Sequence, residues 1–213
     1  MENRIVTMLI IVAIAATFAV SAAAYPWLPA VMATHWGMHD IANGFMSKGI
    51  GVFFIPVMMV GLALLLFWLP TTDPLRNNYA AFKKEYLWLV ATIMAFFLAL
   101  QIAILAWNLG LPFSMSTVVL PSMGLLFFVM GMIMPRLRRN WYVGIRTPWT
   151  LSSDAVWTET HKVGGIVFQI LGVLMFGILL FPSNMAFALL LGSVVIASLG
   201  VVVYSYVVYR HKK

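Results

Sequence analysis

The chain has 213 residues, of which 63% are hydrophobic and only 9% charged, and it contains no cysteine. That balance lies far outside the range of a water-soluble domain, and the lack of thiols excludes disulfides, thiolate metal sites and cysteine nucleophiles. A net charge of +7, from 13 Lys and Arg against 6 Asp and Glu, fits phospholipid head groups and positively charged cytoplasmic loops, so direct nucleic-acid binding is not expected.

Six apolar runs, near 5–24, 50–69, 86–107, 116–134, 163–181 and 185–207, reach the roughly 20 residues that a helix needs to cross a hydrocarbon core. They predict an all-α, polytopic integral membrane protein with six transmembrane helices, in the cell membrane and embedded in its lipid bilayer. The first run follows Arg4 and ends at Ala22-Ala23-Ala24, as a signal peptide does. Its apolar stretch exceeds the usual signal core of about 7–15 residues, so it reads as a retained span.

Orientation follows from the basic residues in the connections. One side collects Arg4, Arg76, Lys83, Lys84, Arg136, Arg138, Arg139, Arg146, Lys162, Arg210, Lys212 and Lys213, and the other has only Lys48. Both termini and the 135–162 loop are therefore expected in the cytoplasm, and loop 25–49 outside. Three parts follow: a two-helix module with its outer loop over 1–70, a connection and third span over 71–115, and a last module over 116–213.

The outer loop runs from Tyr25 to Lys48. His35 and His39 are four residues apart, and a helix would align them for a divalent cation with Asp40 nearby. Pro26, Pro29, Gly37 and Gly44 speak against an unbroken helix, so no metal site is expected. The preferred reading is an interfacial loop with Trp27, Trp36 and Phe45 among the head groups.

Connection 70–85 opens on the turn Thr72-Asp73-Pro74 and continues as an amphipathic lead-in to the third span. The connections near 108–115 and 182–184 look too short to hold a site. Gln101 and Asn108, seven residues apart on the third span, are suited to hydrogen bonds with a neighbouring helix. Gly124 with Gly131, and Gly165 with Gly172, give small-residue seams for close packing. No Asp, Glu, Lys, Arg or His occupies the interior of a predicted span, which speaks against an ion-coupled carrier.

The densest chemistry lies between Arg139 and Gly165. Gly144 and Thr147-Pro148 are turn residues. Ser152-Ser153-Asp154 reads as a capped helix start, from which Asp154, Trp157, His161, Gly165 and Phe168 share one face. Arg146 is expected to pair with Asp154 or Glu159. No zinc-protease motif is present, and Asp154 and His161 are two turns, about 10 Å, apart on a helix, too far for a catalytic dyad. Neither an enzyme nor a cofactor is expected.

The run Asn140-Trp141-Tyr142-Val143-Gly144-Ile145-Arg146-Thr147-Pro148-Trp149-Thr150, with Ser153-Asp154, Trp157, Thr160-His161 and Gly164-Gly165 after it, closely resembles the signature of the SdpI family of bacterial membrane proteins. Leu28-Pro29, Thr34-His35-Trp36, Asn43-Gly44-Phe45 and Ser47-Lys48 resemble a domain of unknown function that often precedes it, with departures at Ala33, Gly37 and Asp40. The resemblance implies immunity to a secreted peptide toxin, together with retention of a small helix-turn-helix autorepressor at the membrane. Carried over by position, binding would fall to Asn140, Gly144, Arg146, Thr147, Trp149, Asp154, Trp157 and His161 on the cytoplasmic face. On the outer face it would fall to Thr34, His35, Trp36, Asn43, Gly44 and Lys48. An envelope-stress or lipid sensor, or a small-molecule exporter, on the same scaffold is the alternative; export would need a polar path that these spans do not obviously supply.

Overall fold

The computed structural model describes residues 2–212. Six long apolar helices are present, as the hydropathy pattern predicts: α1 (Glu2–Ala24), α2 (Lys48–Thr72), α3 (Lys83–Asn108), α4 (Ser116–Ile133), α6 (Asp154–Ile178) and α7 (Ser183–His211), with a short α5 (Pro148–Ser152) before α6. Each is long enough to span a bilayer, and the chain is a multi-pass membrane protein. The helices stop where the backbone chemistry changes: α1 gives way to a 3-10 turn at Tyr25-Pro26-Trp27, α3 ends just before Gly110 at φ +86°, and Pro182 precedes α7. The juxtamembrane helix expected from Ser153 does run unbroken into the fifth span, with the Ser153 hydroxyl accepting from Val156 N–H.

Apolar side chains cannot drive helices together in a solvent as apolar as themselves, so close approach and hydrogen bonds must do it. Between α4 and α6 the glycine seams interlock. A Cβ on Gly131 would lie 2.5 Å from the Gly165 carbonyl oxygen, one on Gly124 would lie 2.7 Å from that of Gly172, and the reverse contacts are equally tight. Only hydrogen fits at these four positions. On the other side of the molecule, Gln101 of α3 is fully buried and its Nε2 donates to Ser21 Oγ of α1 at 2.8 Å and to the Val52 carbonyl of α2 at 2.9 Å. One amide thus joins three helices where water cannot compete.

The outer connection, read from sequence as a loop shaped by Pro and Gly, is a β-hairpin. Strands β1 (Val31–Trp36) and β2 (Ala42–Ser47) pair antiparallel, with a register irregularity around His35, and Asp40 takes a left-handed conformation at φ 56° in the turn. The hairpin is docked by Asn108 at the end of α3, whose Oδ1 accepts from Ala33 N–H at 2.8 Å and whose Nδ2 donates to the Ala33 carbonyl at 2.9 Å. The side-chain amide thereby acts as one more residue of sheet. Asp40 ties the turn to the third connection, bonding Ser114 Oγ and accepting from Ser116 N–H at 3.1 Å. That short connection, expected to contribute nothing to a site, is therefore a foundation of the hairpin.

Replacing Gly131 by Leu should lower stability by about 1–3 kcal/mol through overpacking, whereas Gly200→Leu, where a Cβ meets nothing within 4 Å, should be close to neutral. Thermal unfolding of the purified protein in detergent checks this. Equal losses at both positions would refute the interlocked seam.

Candidate functional site

Two ends of the bundle carry polar chemistry. At the basic end, the segment 137–153 folds back over the ends of α2, α3 and α6. Asn140 is fully buried and uses every bonding group it has. Its Nδ2 donates to the carbonyls of Arg138 at 2.9 Å and Val143 at 3.0 Å, and its Oδ1 accepts from Tyr142 N–H at 3.0 Å, Val143 N–H at 2.7 Å and the Tyr79 hydroxyl at 3.2 Å. Asp73, 2% exposed, shares that hydroxyl at 3.1 Å and also accepts from Leu75 N–H at 2.6 Å and Trp141 N–H at 2.8 Å. Asn78 adds a bond to the Arg139 carbonyl at 2.7 Å. The connection read as an amphipathic lead-in thus supplies three residues to this polar knot.

The second half of the loop hangs on Trp157 and His161, four residues apart on α6 and both buried. Their rings stack at a 4.0 Å centroid separation and 19°. Trp157 Nε1 donates to the Leu137 carbonyl at 2.8 Å. His161 Nε2 accepts from Ile145 N–H at 3.0 Å, which leaves Nδ1 to donate to the Trp157 carbonyl at 2.8 Å and fixes a neutral tautomer. Gly144 passes directly over this ring at φ +111°, and a Cβ there would strike His161 Nε2. The residue is glycine for both reasons. Thr147 caps α5 in a reciprocal pair with Thr150, and its hydroxyl lies 3.1 Å from Ser205 Oγ of α7, while Trp149 packs on Tyr206 with centroids 5.0 Å apart.

The expected pairing of Arg146 with Asp154 or Glu159 is not what the loop does. Arg139 Nε lies 2.9 Å from Asp154 Oδ1, and Arg139 Nη1 donates to the Leu151 carbonyl at 2.9 Å. Arg146 is exposed and donates to the Trp141 carbonyl at 2.7 Å, while Glu159 lies 3.8 Å from Lys162. The turn at Gly144 points Arg146 away from the start of α6, and Arg139, leaving the knot beside Asn140, takes its place.

The candidate residues of this end therefore divide by burial. Asn140, Thr147, Trp157 and His161 are inside and saturated, Gly144 and Trp149 are half-buried, and Arg146 and Asp154 face outward. Exposed with the latter pair are Trp141, Arg136 and Arg138.

At the hairpin end, His35 and Asn43 occupy exposed positions on the two strands, His35 lying opposite Gly44 in the register, with His35 Nδ1 donating to Asn43 Oδ1 at 2.5 Å. Gly44 lies beneath the imidazole, where a Cβ would be 2.7 Å from that of His35. Thr34 Oγ1 reaches the Gly44 carbonyl at 3.5 Å, Trp36 packs edge-on against Trp107 at 5.3 Å, and Lys48 stands 4.7 Å over the Tyr25 ring at the base of the hairpin. Strand and turn geometry separates His35 from His39, so the helical alignment on which a cation site would depend does not exist. Asp40 is engaged by Ser114 and Ser116, and among the described residues no group of three His, Asp or Glu is placed to hold a metal. Below the hairpin is a cavity of about 270 Å³, walled by Trp36, Met38, Ile104, Met115 and Leu120 and reaching Phe187 of α7.

Sequence reasoning missed Asp73, Tyr79 and Asn78 at the basic end, and Ser114 and Ser116 at the other. Asp73 did carry a signal: it is one of only two acids in the 70–85 connection, with Glu85, and stands just before Pro74.

Residues 136–205 match the SdpI/YfhL protein family, and residues 12–60 match a domain of unknown function, DUF1648. The chain is also 27% identical over 173 residues to the Immunity protein SdpI of Bacillus subtilis (strain 168), covering 81% of this chain and 79% of the relative. The resemblance read from the 140–165 motif is thus borne out, and with it the cell-membrane location. No solved structure matches the chain.

His161→Ala, which orphans Ile145 N–H and removes the ring under Gly144, should cost about 2–4 kcal/mol and speed tryptic cleavage after Arg146. Gly144→Ala should reproduce the faster cleavage, because it drives the loop off the same ring. Unchanged cleavage rates in both variants would show that the ring does not anchor the loop.

Proposed function

We propose that this membrane protein, with its SdpI-type module over residues 136–205, is an immunity and signalling protein. It gives resistance to a secreted antimicrobial peptide and holds a small helix-turn-helix repressor at its cytoplasmic face. The observation that carries this reading is the similarity to Immunity protein SdpI along four-fifths of the chain, beside the family matches over 12–60, which take in the hairpin, and 136–205, which take in most of the basic loop. In this reading the basic end and both termini lie in the cytoplasm, as the clustering of Lys and Arg requires, and the hairpin faces out.

The peptide meets the exposed His35–Asn43 pair and the surrounding Thr34, Trp36, Gly44 and Lys48, with the small cavity below the hairpin ready for an apolar side chain. The repressor meets Arg146, Trp149 and Asp154, while Asn140, Gly144, Thr147, Trp157 and His161 hold that surface in shape. The chain then works as three parts, 1–70 for reception, 71–115 as the link and 116–213 for the cytoplasmic response. No catalytic step is assigned.

Expressed in a toxin-sensitive bacterium, the chain should restore survival on the peptide. His35→Ala with Asn43→Ala should reduce protection about tenfold, as loss of a central contact does, at unchanged membrane insertion. Arg146→Ala should leave protection intact and release a co-expressed repressor into the soluble fraction. Absence of protection by a correctly inserted wild-type chain would overturn the immunity reading.

A further inference from the structure

At the basic end an open groove of about 840 Å³ runs between α1, α2 and the start of α3, within the size range of small-ligand sites. Its floor and walls are apolar: Met8, Ile11, Phe67, Pro70 and Leu87. The two phenols that reach it do not add polarity, because Tyr79 gives its hydroxyl to Asp73 and Asn140, and Tyr86 gives its hydroxyl to the Leu66 carbonyl. Met8 and Ile11 are 65% and 59% exposed, so the groove opens sideways from α1 into the hydrocarbon layer rather than into a closed core.

Its rim is different. Arg4 and Lys83 stand there, from the first turns of α1 and α3, with Asn3 beside them. The neighbouring Lys84 is neutralised by Glu2 at 2.6 Å, but among the described residues neither Arg4 nor Lys83 has an acidic partner. Two unpaired cations above an apolar channel, at the depth where helices emerge from the bilayer, are complementary to one kind of molecule: an anion with a long hydrocarbon chain attached.

We propose that this groove is a specific site for one anionic glycerophospholipid, its phosphate held between Arg4 and Lys83 and one acyl chain lying along Met8, Ile11, Phe67 and Leu87. The site is independent of toxin recognition, being at the opposite end of α1 and α2 from the hairpin. A bound lipid would fill the space left between α1 and α2 and so brace the first two spans against the start of α3.

The test uses the full chain in detergent micelles, titrated with dioleoyl phosphatidylglycerol or dioleoyl phosphatidylcholine and read by native mass spectrometry and thermal shift. One phosphatidylglycerol should be retained at a concentration about tenfold or more below that needed for phosphatidylcholine. Since a basic residue near an anionic head group is worth about fivefold in affinity, Arg4→Gln with Lys83→Gln should weaken phosphatidylglycerol about thirtyfold and abolish the preference. Arg210→Gln, which removes a cation from the same end but outside the groove, should keep it. Ile11→Trp, which leaves both cations and fills the channel, should weaken both lipids. Equal retention of the two lipids by the wild type would overturn the site, as would a preference that survives the double substitution. Full binding by Ile11→Trp, or equal stabilisation by inorganic phosphate alone, would likewise overturn it by showing that no acyl chain is seated there.

Discussion

The basic end of this molecule depends on a single buried amide. Asn140 closes the turn that follows α4 by bonding to its own neighbours on both sides, and through Tyr79 it is locked to Asp73 and hence to the end of α2. Near a membrane surface, loop backbone that leaves water must find partners within the protein, and an Asn side chain offers two donors and an acceptor in one plane. Once the turn is set, Trp157 and His161 can take the Leu137 carbonyl and the Ile145 N–H, and the rest of the loop has nowhere else to go.

This changes what the motif means. A cluster of Trp, His, Asn, Thr and Gly in an apolar chain invites a reading as a ligand site, yet most of these residues face one another and have spent their hydrogen-bonding capacity on the fold. What they present to the outside is the less distinctive set: an exposed indole at Trp141, the guanidinium of Arg146 and the carboxylate of Asp154 beside Arg139. A surface built in this way is rigid, and recognition by it gains from not having to order loose chain on binding.

The spans were legible in the sequence because a run of apolar residues of membrane-crossing length has few other fates, and the glycine pairs at a spacing of seven pointed correctly to a close helix contact. The Ser153 cap was legible for a similarly local reason. What could not be read was pairing across distance. The strands of the hairpin are short, and neither Val31–Trp36 nor Ala42–Ser47 alternates clearly between apolar and polar residue types, so turn residues dominated the pattern. Arg146 precedes Asp154 by eight residues and Arg139 by fifteen, so nearness in sequence favoured the wrong partner. Only the path of the chain around Gly144 decides which one reaches it.

The docking of the hairpin by Asn108 carries a mechanical consequence. Asn108 is the last residue of α3, and Lys83 the first, so one helix of 26 residues, roughly 39 Å long, has the hairpin fastened to its tip and the polar knot seated against its foot. No Gly or Pro interrupts it, in contrast to α2, α4, α6 and α7. Such a rod transmits tilt instead of absorbing it in a bend. Any load that shifts the hairpin is delivered to Tyr79, Asp73 and Asn140 as a displacement of the whole lever, with the Gln101 bonds to α1 and α2 as its pivot.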